Sequence, residues 1–289
     1  MTSQYQDPGQ SSWEGGGDVG PSMRMALPPI TPMVKRLMLI NAGVFAVYFT
    51  LYLSSPPAAK GVVPWLGLDP RMWAENFPLL PIWQVFSYAF LHSTSDFMHL
   101  LFNMLLLYFF GTMLESILGS KRFLTLFLGA ALCGALFHLL GEWILADPMR
   151  PVIGASGAVL GVLVAAAVLR PDTVVFLFFF PVRLRWLATG IVVIDAMNLL
   201  IELREGHAGI VAHHVHLGGA LYGFMAARQG WVNWDPIERW RQRQRAGQQV
   251  RRQADQERLD GLLEKIHSEG LGSLSPEEKE FLRQVSRRG

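Results

Sequence analysis

The sequence predicts an all-α membrane protein in which six helices cross the bilayer. Hydrophobic residues make up 51% of its 289 positions, and only 17% are charged, whereas a soluble domain has about 25% charged residues. The apolar residues also fall into long runs, and a spanning helix needs about 20 of them. Six segments fit that length: residues 33–53, 98–116, 121–141, 153–170, 184–203 and 209–227.

The predicted helical domain, residues 30–227, lies between two polar segments of different character. Residues 1–29 are rich in Gly, Ser, Gln and Pro, a composition that is typical of disorder. The single cysteine, Cys133, excludes a disulfide within the chain. Lys and Arg are most frequent in the connections that share a side with the two chain ends. By the positive-inside rule, both ends are therefore predicted to be cytoplasmic.

Two apolar stretches outside the six spans are predicted to lie at the membrane surface. Residues 54–97 contain Trp65, Trp73 and Trp83, and tryptophan is enriched at headgroup depth. An additional spanning helix is the alternative, but the prolines of this stretch argue against a continuous helix. The run 174–181 is too short to cross a bilayer. It is predicted to lie at the cytoplasmic interface.

The fourth predicted span opens with a serine among residues that have almost no side chain. Gly154 and Gly157 leave the space around Ser156 open. Gly157 and Gly161 form a small-residue face with the four-residue spacing of a close helix contact, and Gly219 and Gly223 of the sixth span repeat that spacing. Two such faces in contact would bring Ser156 and His216 within hydrogen-bond reach. A serine beside a histidine base is the minimum for nucleophilic catalysis. The alternatives are a serine bonded to its own backbone or one that only assists packing.

The second predicted span carries two polar residues on one face, His99 and Asn103, near the same membrane surface as Ser156 and His216. Taken alone they are typical of hydrogen bonds between helices. Beside a nucleophilic serine they become candidate donors to a developing oxyanion, with the Ser156 backbone N–H as a third.

A metal site is the rival interpretation of the histidines. His213, His214 and His216 could join His92 or His99, because clustered histidines favour zinc. No HExxH motif occurs, however, Cys133 lies deep in the third span, and Asp96 is the one carboxylate near the start of the second. The sequence therefore predicts no metal and no cofactor, with His213 and His214 as interfacial residues.

Three motifs together resemble the signatures of rhomboid intramembrane serine proteases: His-Leu-Leu-Phe-Asn at 99–103, Gly-Ala-Ser-Gly at 154–157 and His-Leu-Gly-Gly-Ala-Leu-Tyr-Gly at 216–223. The resemblance implies a six-helix rhomboid bundle and a dyad without the usual aspartate. Ser156 would be the nucleophile and His216 the general base, while His99 and Asn103 would help to form the oxyanion hole.

The resemblance also implies substrates, namely proteins with one transmembrane segment that are cut near its outer end. Leu160 stands where many relatives carry a tyrosine that stacks on the histidine, and Gln84 follows Trp83 where an arginine is frequent. Without a carboxylate, His216 is expected to be oriented by packing of the Gly219 and Gly223 face. A non-proteolytic relative that binds membrane clients remains the alternative. A bacterial plasma membrane is the expected location, with the site open to the outer side.

The segment 228–289 is predicted to be a cytoplasmic helical hairpin. Its basic residues alternate with acidic ones, a pattern that is typical of a solvated helix and disfavours nucleic-acid binding. Ser275 and Glu278, with Pro276 between them, form a capping-box signature. The predicted partners of the chain are thus the lipid bilayer, transmembrane substrates and an unidentified partner of this hairpin.

Overall fold

The computed structural model describes residues 28–145, 150–177, 180–205, 211–231 and 236–286, which are mostly helical. Most of the tail predicted to be disordered, residues 1–27, lies outside this part of the chain. Within it, four helices are long and apolar enough to cross a membrane. They are α1 (Pro32–Ser54), the continuous helix Phe97–Leu118, the segment Ser120–Gly141 of α7 (Ser120–Leu145), and α9 (Leu184–Glu205). The helix Phe97–Leu118 consists of α5 (Phe97–Leu106), a π-helical turn and α6 (Thr112–Leu118).

Two shorter helices stand where the fourth and sixth spans were predicted. They are α8 (Ser156–Leu169), with 14 residues, and α10 (His213–Arg228), with 16. The predicted fourth span began at residue 153, but residues 150–154 are not helical and Val152 pairs with Leu68 in an isolated β-bridge. Residues 209 and 210, at the predicted start of the sixth span, lie outside the described residues. The count of six crossings therefore stays a prediction.

Helix α8 is the centre of the bundle, since every residue from Gly157 to Ala167 is buried. Its most extensive contacts are with α10 and α7. A helix that is apolar on all sides is expected in such a position. By contrast, α1 and α9 bury few of their residues and expose apolar side chains such as Leu200 outward.

The glycine faces of α8 and α10 meet directly. A Cβ atom on Gly219 would collide with the carbonyl oxygen of Gly157, and one on Gly223 would collide with the carbonyl oxygen of Gly161. Small residues at this spacing allow two helix backbones to approach closely. The contact fixes the register of α10 along α8 and thereby the relative positions of the side chains at their N-terminal ends.

The connection 54–97 is folded into short helices, α2 (Pro56–Leu66), α3 (Pro70–Glu75) and α4 (Gln84–Ser87), followed by a 3₁₀ turn. The buried side chain of Gln84 holds them together. Its Nε2 donates to the Pro64 carbonyl oxygen at 2.7 Å, and its Oε1 accepts from the Asp69 N–H at 3.2 Å and from Trp73 Nε1 at 3.1 Å. This residue, a departure from the family pattern, is therefore the central link of the connection.

A two-stranded antiparallel hairpin interrupts the otherwise helical fold among the described residues. Strand β1 (Val174–Leu177) pairs with β2 (Phe180–Arg183) over the run that was predicted to be too short for a span. β-Branched and aromatic residues favour such strands. Two of its aromatic side chains, Phe176 and Phe180, are strongly exposed.

The C-terminal segment is a helical hairpin of α11 (Pro236–Glu269) and α12 (Pro276–Ser286). The capping box at the start of α12 is complete: the Ser275 N–H donates to Glu278 Oε2 at 2.7 Å, and the Glu278 N–H donates to Ser275 Oγ at 3.2 Å. Lys265 of α11 bonds Glu278 across the hairpin at 3.1 Å. Glu278 therefore bonds both to Ser275 at the start of its own helix and to Lys265 of α11.

Candidate active site

Ser156 is the first residue of α8, and a glycine with a positive φ precedes it by two positions. Gly154 has φ +128°, a conformation that side chains rarely adopt, and a Cβ there would lie 2.6 Å from His99 Cε1. The Gly154 N–H donates to the Tyr88 carbonyl oxygen at 2.9 Å. Only glycine satisfies both the backbone and the close approach of His99. Because Ser156 begins a helix, its N–H belongs to the first turn, where no intrahelical acceptor is in place.

His216 lies beside Ser156 across the contact between α8 and α10. Its Nε2 is 2.8 Å from Ser156 Oγ, a distance at which the hydroxyl donates to the ring. His216 is the fourth residue of α10, so the glycine contact that sets the helix register also sets this distance. The structure thus brings together the two residues that the motifs singled out.

A carboxylate lies on the opposite side of the His216 ring. His216 Nδ1 is 3.1 Å from Oδ1 and 3.2 Å from Oδ2 of Asp195, whose side chain is 9% exposed. The predicted dyad without an aspartate, with His216 oriented by packing alone, is therefore corrected. Sequence reasoning did not consider Asp195. The signal was an acidic residue inside the apolar run 191–200, since charged groups within spans are functional candidates by default.

Asp195 is shared with a second histidine. His213 Nδ1 is 2.6 Å from Asp195 Oδ1, and its Nε2 is 3.9 Å from Oε1 of the buried Glu202. His213 thus lies beside two carboxylates of α9, contacts that the sequence did not predict, and its interfacial position stays a prediction. The ligating atoms of Asp195, His213 and His216 all lie within 4.8 Å of one another.

His214 is buried inside the bundle. Its Nε2 is 2.6 Å from Nδ1 of His138 on α7, and the two rings stack with centroids 4.9 Å apart. His138 Nε2 in turn lies 3.2 Å from the Arg150 carbonyl oxygen. The rival metal set of the sequence, in which His214 joined its neighbours and His92 or His99, is therefore not assembled, because His214 points to another helix.

The side chains of His99 and Asn103 have different surroundings. His99 reaches the cavity beside Ser156, whereas the Asn103 amide nitrogen donates to the His99 carbonyl oxygen at 2.9 Å and to His92 Nε2 at 3.3 Å. Burial, and secondarily the nearby His99, lowers the pKa of His92 to about 4. His92 is therefore neutral at pH 7 and accepts from the amide. Asn103 lies behind the wall that His99 forms.

A cavity of about 400 Å³ opens at these residues. Ser156, His216 and His99 line it together with Ser93, Ser95 and Asp96. Asp96 also caps α5 by accepting from the His99 N–H at 3.2 Å. Half of the residues that line the cavity are polar, and Ser156 is one of them.

Residues 80–231, just over half of the chain, match the model of the Rhomboid domain. The chain belongs to the rhomboid family. It is 34% identical to Rhomboid protein 1, mitochondrial, of Saccharomyces cerevisiae over 166 residues. This aligned region covers 54% of this chain and 43% of the yeast protein. It is 32% identical to RHOMBOID-like protein 12, mitochondrial, of Arabidopsis thaliana over 53% of this chain and 47% of the relative. With Rhomboid protease GluP of Bacillus subtilis it shares 34% identity over 45% of this chain and 22% of the relative.

The chain thus spans less than half the length of these rhomboid relatives. Residues 249–288, which include most of the C-terminal hairpin, match a family of unknown function, DUF6576. The expected bacterial plasma membrane is contradicted, because the rhomboid relatives from yeast and Arabidopsis are named as mitochondrial proteins. Composition and loop charges distinguish one membrane from another poorly, since the physical requirement of a span is the same in each.

Proposed function

We propose that this rhomboid protein is an intramembrane serine endopeptidase with Ser156 as nucleophile and His216 as general base. The observation that carries the proposal is the 2.8 Å distance between Ser156 Oγ and His216 Nε2. A free serine hydroxyl is weakly nucleophilic, and a base within hydrogen-bond reach activates it. The likeness to a relative named as a protease supports the same assignment.

Proton transfer follows from the order of the three side chains. His216 Nε2 accepts the Ser156 proton as the hydroxyl attacks a peptide carbonyl, and later gives it to the leaving amine. Asp195 accepts a hydrogen bond from Nδ1–H, which keeps the lone pair of the neutral ring on Nε2. Asp195 is accordingly a positioning residue, and it stabilises the imidazolium that forms.

The oxyanion is stabilised by donors at the N-terminus of α8. The Ser156 N–H in the first turn carries the positive end of the helix dipole, and His99 faces the same cavity. Such donors are worth about 3–4 kcal/mol each when they are prepositioned in a dry site. Asn103 supports this wall by holding the His99 carbonyl and His92, and thereby fixes the end of α5.

The proposed substrates are membrane proteins with one transmembrane segment, cut near the end of that segment on the side to which the cavity opens. With six crossings, α5, α8 and α10 begin on this side, and the hairpin after α10 lies on the opposite side of the membrane. A scissile bond must leave its helix to reach Ser156, because helical carbonyls are hydrogen-bonded. The proposed reaction uses no cofactor. The names of the relatives favour a mitochondrial membrane as the location.

Labelling of the purified protein with a fluorophosphonate tests the proposal. The intact chain is expected to be labelled, whereas Ser156→Ala and His216→Ala are not, and Ser54→Ala, which changes an exposed serine, serves as the matched control. In detergent, the intact chain and Ser54→Ala are expected to cleave a single-span model substrate, whereas Ser156→Ala and His216→Ala are not. A folded protein that is neither labelled nor able to cleave would instead favour the client-binding alternative.

A further inference from the structure

Two polar residues of low exposure, the first half-buried and the second buried, lie beside the proposed catalytic groups and take no part in the proposed hydrolysis. They are His213 and Glu202, whose side chains are 13% and 9% exposed. His213 and His216 lie three residues apart on one face of α10, and Asp195 and Glu202 lie seven apart on the facing side of α9. Ionisable groups within apolar helices are costly to bury and are functional candidates. The histidine beside Asp195 and His216 therefore requires its own explanation.

The three groups nearest to one another have the chemistry of a zinc site. Asp195 Oδ1 is 2.6 Å from His213 Nδ1 and 3.1 Å from His216 Nδ1. Zinc binds imidazole nitrogen and carboxylate oxygen at about 2.0–2.2 Å in a tetrahedron, so neighbouring ligand atoms stand about 3.3 Å apart. The three candidate ligand atoms all lie within 4.8 Å of one another, so side-chain movement is needed to bring them to this spacing around an ion. Water from the adjacent cavity, which His216 lines, supplies the fourth position.

Glu202, on the far side of the His213 ring, supports this interpretation. Its Oε1 lies 3.9 Å from Nε2 of His213, the ring nitrogen that faces away from Asp195. Histidines that bind metal almost always direct their second nitrogen to a carboxylate, a carbonyl or water, which fixes the ring. A catalytic aspartate behind His216 does not explain why a second histidine bonds the same carboxylate.

We propose that Asp195, His213 and His216 bind a divalent metal ion of the zinc class, and that the bound ion switches the hydrolase off. The switching part rests on the proposed protease function. A metal on Nδ1 of His216 moves the single proton of the neutral ring to Nε2. That nitrogen then donates to Ser156 Oγ and no longer accepts from it, so the base is lost. The same shift places the His213 proton on Nε2, toward Glu202.

Titration calorimetry with Zn²⁺ tests the site directly, on the full chain in detergent with any polyhistidine tag removed. The unaltered protein is expected to bind one Zn²⁺ per chain. His213→Gln removes one ligand and is expected to weaken binding at least about tenfold. His267→Gln, which changes an exposed histidine of α11 in the same way, serves as the matched control and is expected to bind as the unaltered protein does. Thermal unfolding shows that each variant is folded.

A second measurement separates the metal site from the protease proposal. Zn²⁺ is expected to suppress fluorophosphonate labelling of Ser156, and His213→Gln is expected to need at least about tenfold more Zn²⁺ for the same suppression. Specific Zn²⁺ binding without any labelling under metal-free conditions would support the site and count against the protease. Equal binding by the unaltered protein and His213→Gln, or no binding by either, would overturn the metal proposal whatever the labelling shows.

Discussion

The carboxylate of Asp195 lies behind His216, with Oδ1 3.1 Å from Nδ1, while Nε2 on the other side of the ring lies 2.8 Å from Ser156 Oγ. The three residues come from α9, α10 and α8. Leu160 occupies the position from which a tyrosine stacks on this histidine in many relatives. In this chain hydrogen bonding to Asp195 orients the ring of His216.

Replacing Asp195 with asparagine is expected to impair the chemical step. An amide can donate to Nδ1 and thereby favour the tautomer whose proton faces the serine, a change that lowers kcat by about 10⁴-fold in the chymotrypsin example of the same substitution. We expect kcat for a model substrate to fall at least about 10²-fold with KM nearly unchanged, because substrate binding is not affected. Asp195→Glu should restore part of the rate. An unchanged kcat in Asp195→Asn would show that the carboxylate does not act through His216.

Replacing Gly219 with alanine is expected to separate α10 from α8. The new methyl group would collide with the Gly157 carbonyl oxygen, and overpacking of this kind costs about 1–3 kcal/mol of unfolding free energy. Gly43→Ala is the matched control, because a Cβ there meets nothing within 4 Å and alanine favours the helix by up to about 1 kcal/mol. Thermal unfolding in detergent distinguishes them. Equal midpoints would show that the contact is looser than described.

Replacing Gln84 with alanine is expected to loosen the connection between α1 and α5. The change leaves the Asp69 N–H and the Trp73 ring nitrogen without their acceptor, and each buried unpaired group costs about 1–3 kcal/mol. Limited proteolysis should cut residues 54–97 faster than in the unaltered protein. Asn76→Ala removes a solvent-exposed amide of the same connection and should leave the cleavage rate as it was. Equal rates in the two variants would contradict the central role of Gln84.

Acid is expected to destabilise the protein through His92. Its pKa in the folded state is about 4, below the ordinary value of 6.5, so the unfolded chain binds the extra proton between those values. The contribution of neutral His92 to the free energy of unfolding is fully present above pH 6.5. It is lost as the pH drops toward 4, by about 3 kcal/mol for a shift of this size. His92→Gln keeps an acceptor for Asn103 and should flatten the dependence of the unfolding midpoint on pH. An equal slope in both proteins would exclude His92 as the cause.

Local patterns were predictable from the sequence because the interacting residues are close along the chain. The capping box of Ser275 and Glu278 is one example, since both partners lie within one helical turn. The approach of α8 and α10 was predictable for a related reason. Each helix carries its own small-residue face, so the contact of Gly157 with Gly219 follows once the two helices are neighbours.

Contacts that depend on the rotation of a helix about its axis were not predictable. Asp195 faces inward only because α9 packs against α10 with that side, and the apolar sequence around it has no amphipathic period to indicate a face. His213 and His214 are adjacent in sequence but diverge by about 100° on the helix. One therefore meets α9 and the other meets α7, a difference that the sequence pattern does not indicate.

The brevity of α8 has a consequence for where a substrate is cut. Fourteen residues extend about 21 Å, whereas the hydrocarbon layer is about 30 Å thick. With the C-terminal end of α8 at one boundary, Ser156 at the other end lies on the order of 10 Å inside the opposite boundary. Hydrolytic water must descend that distance through the cavity. In the proposed protease, the length of this one helix selects the depth at which a substrate segment is severed, and so the number of apolar residues left on each product.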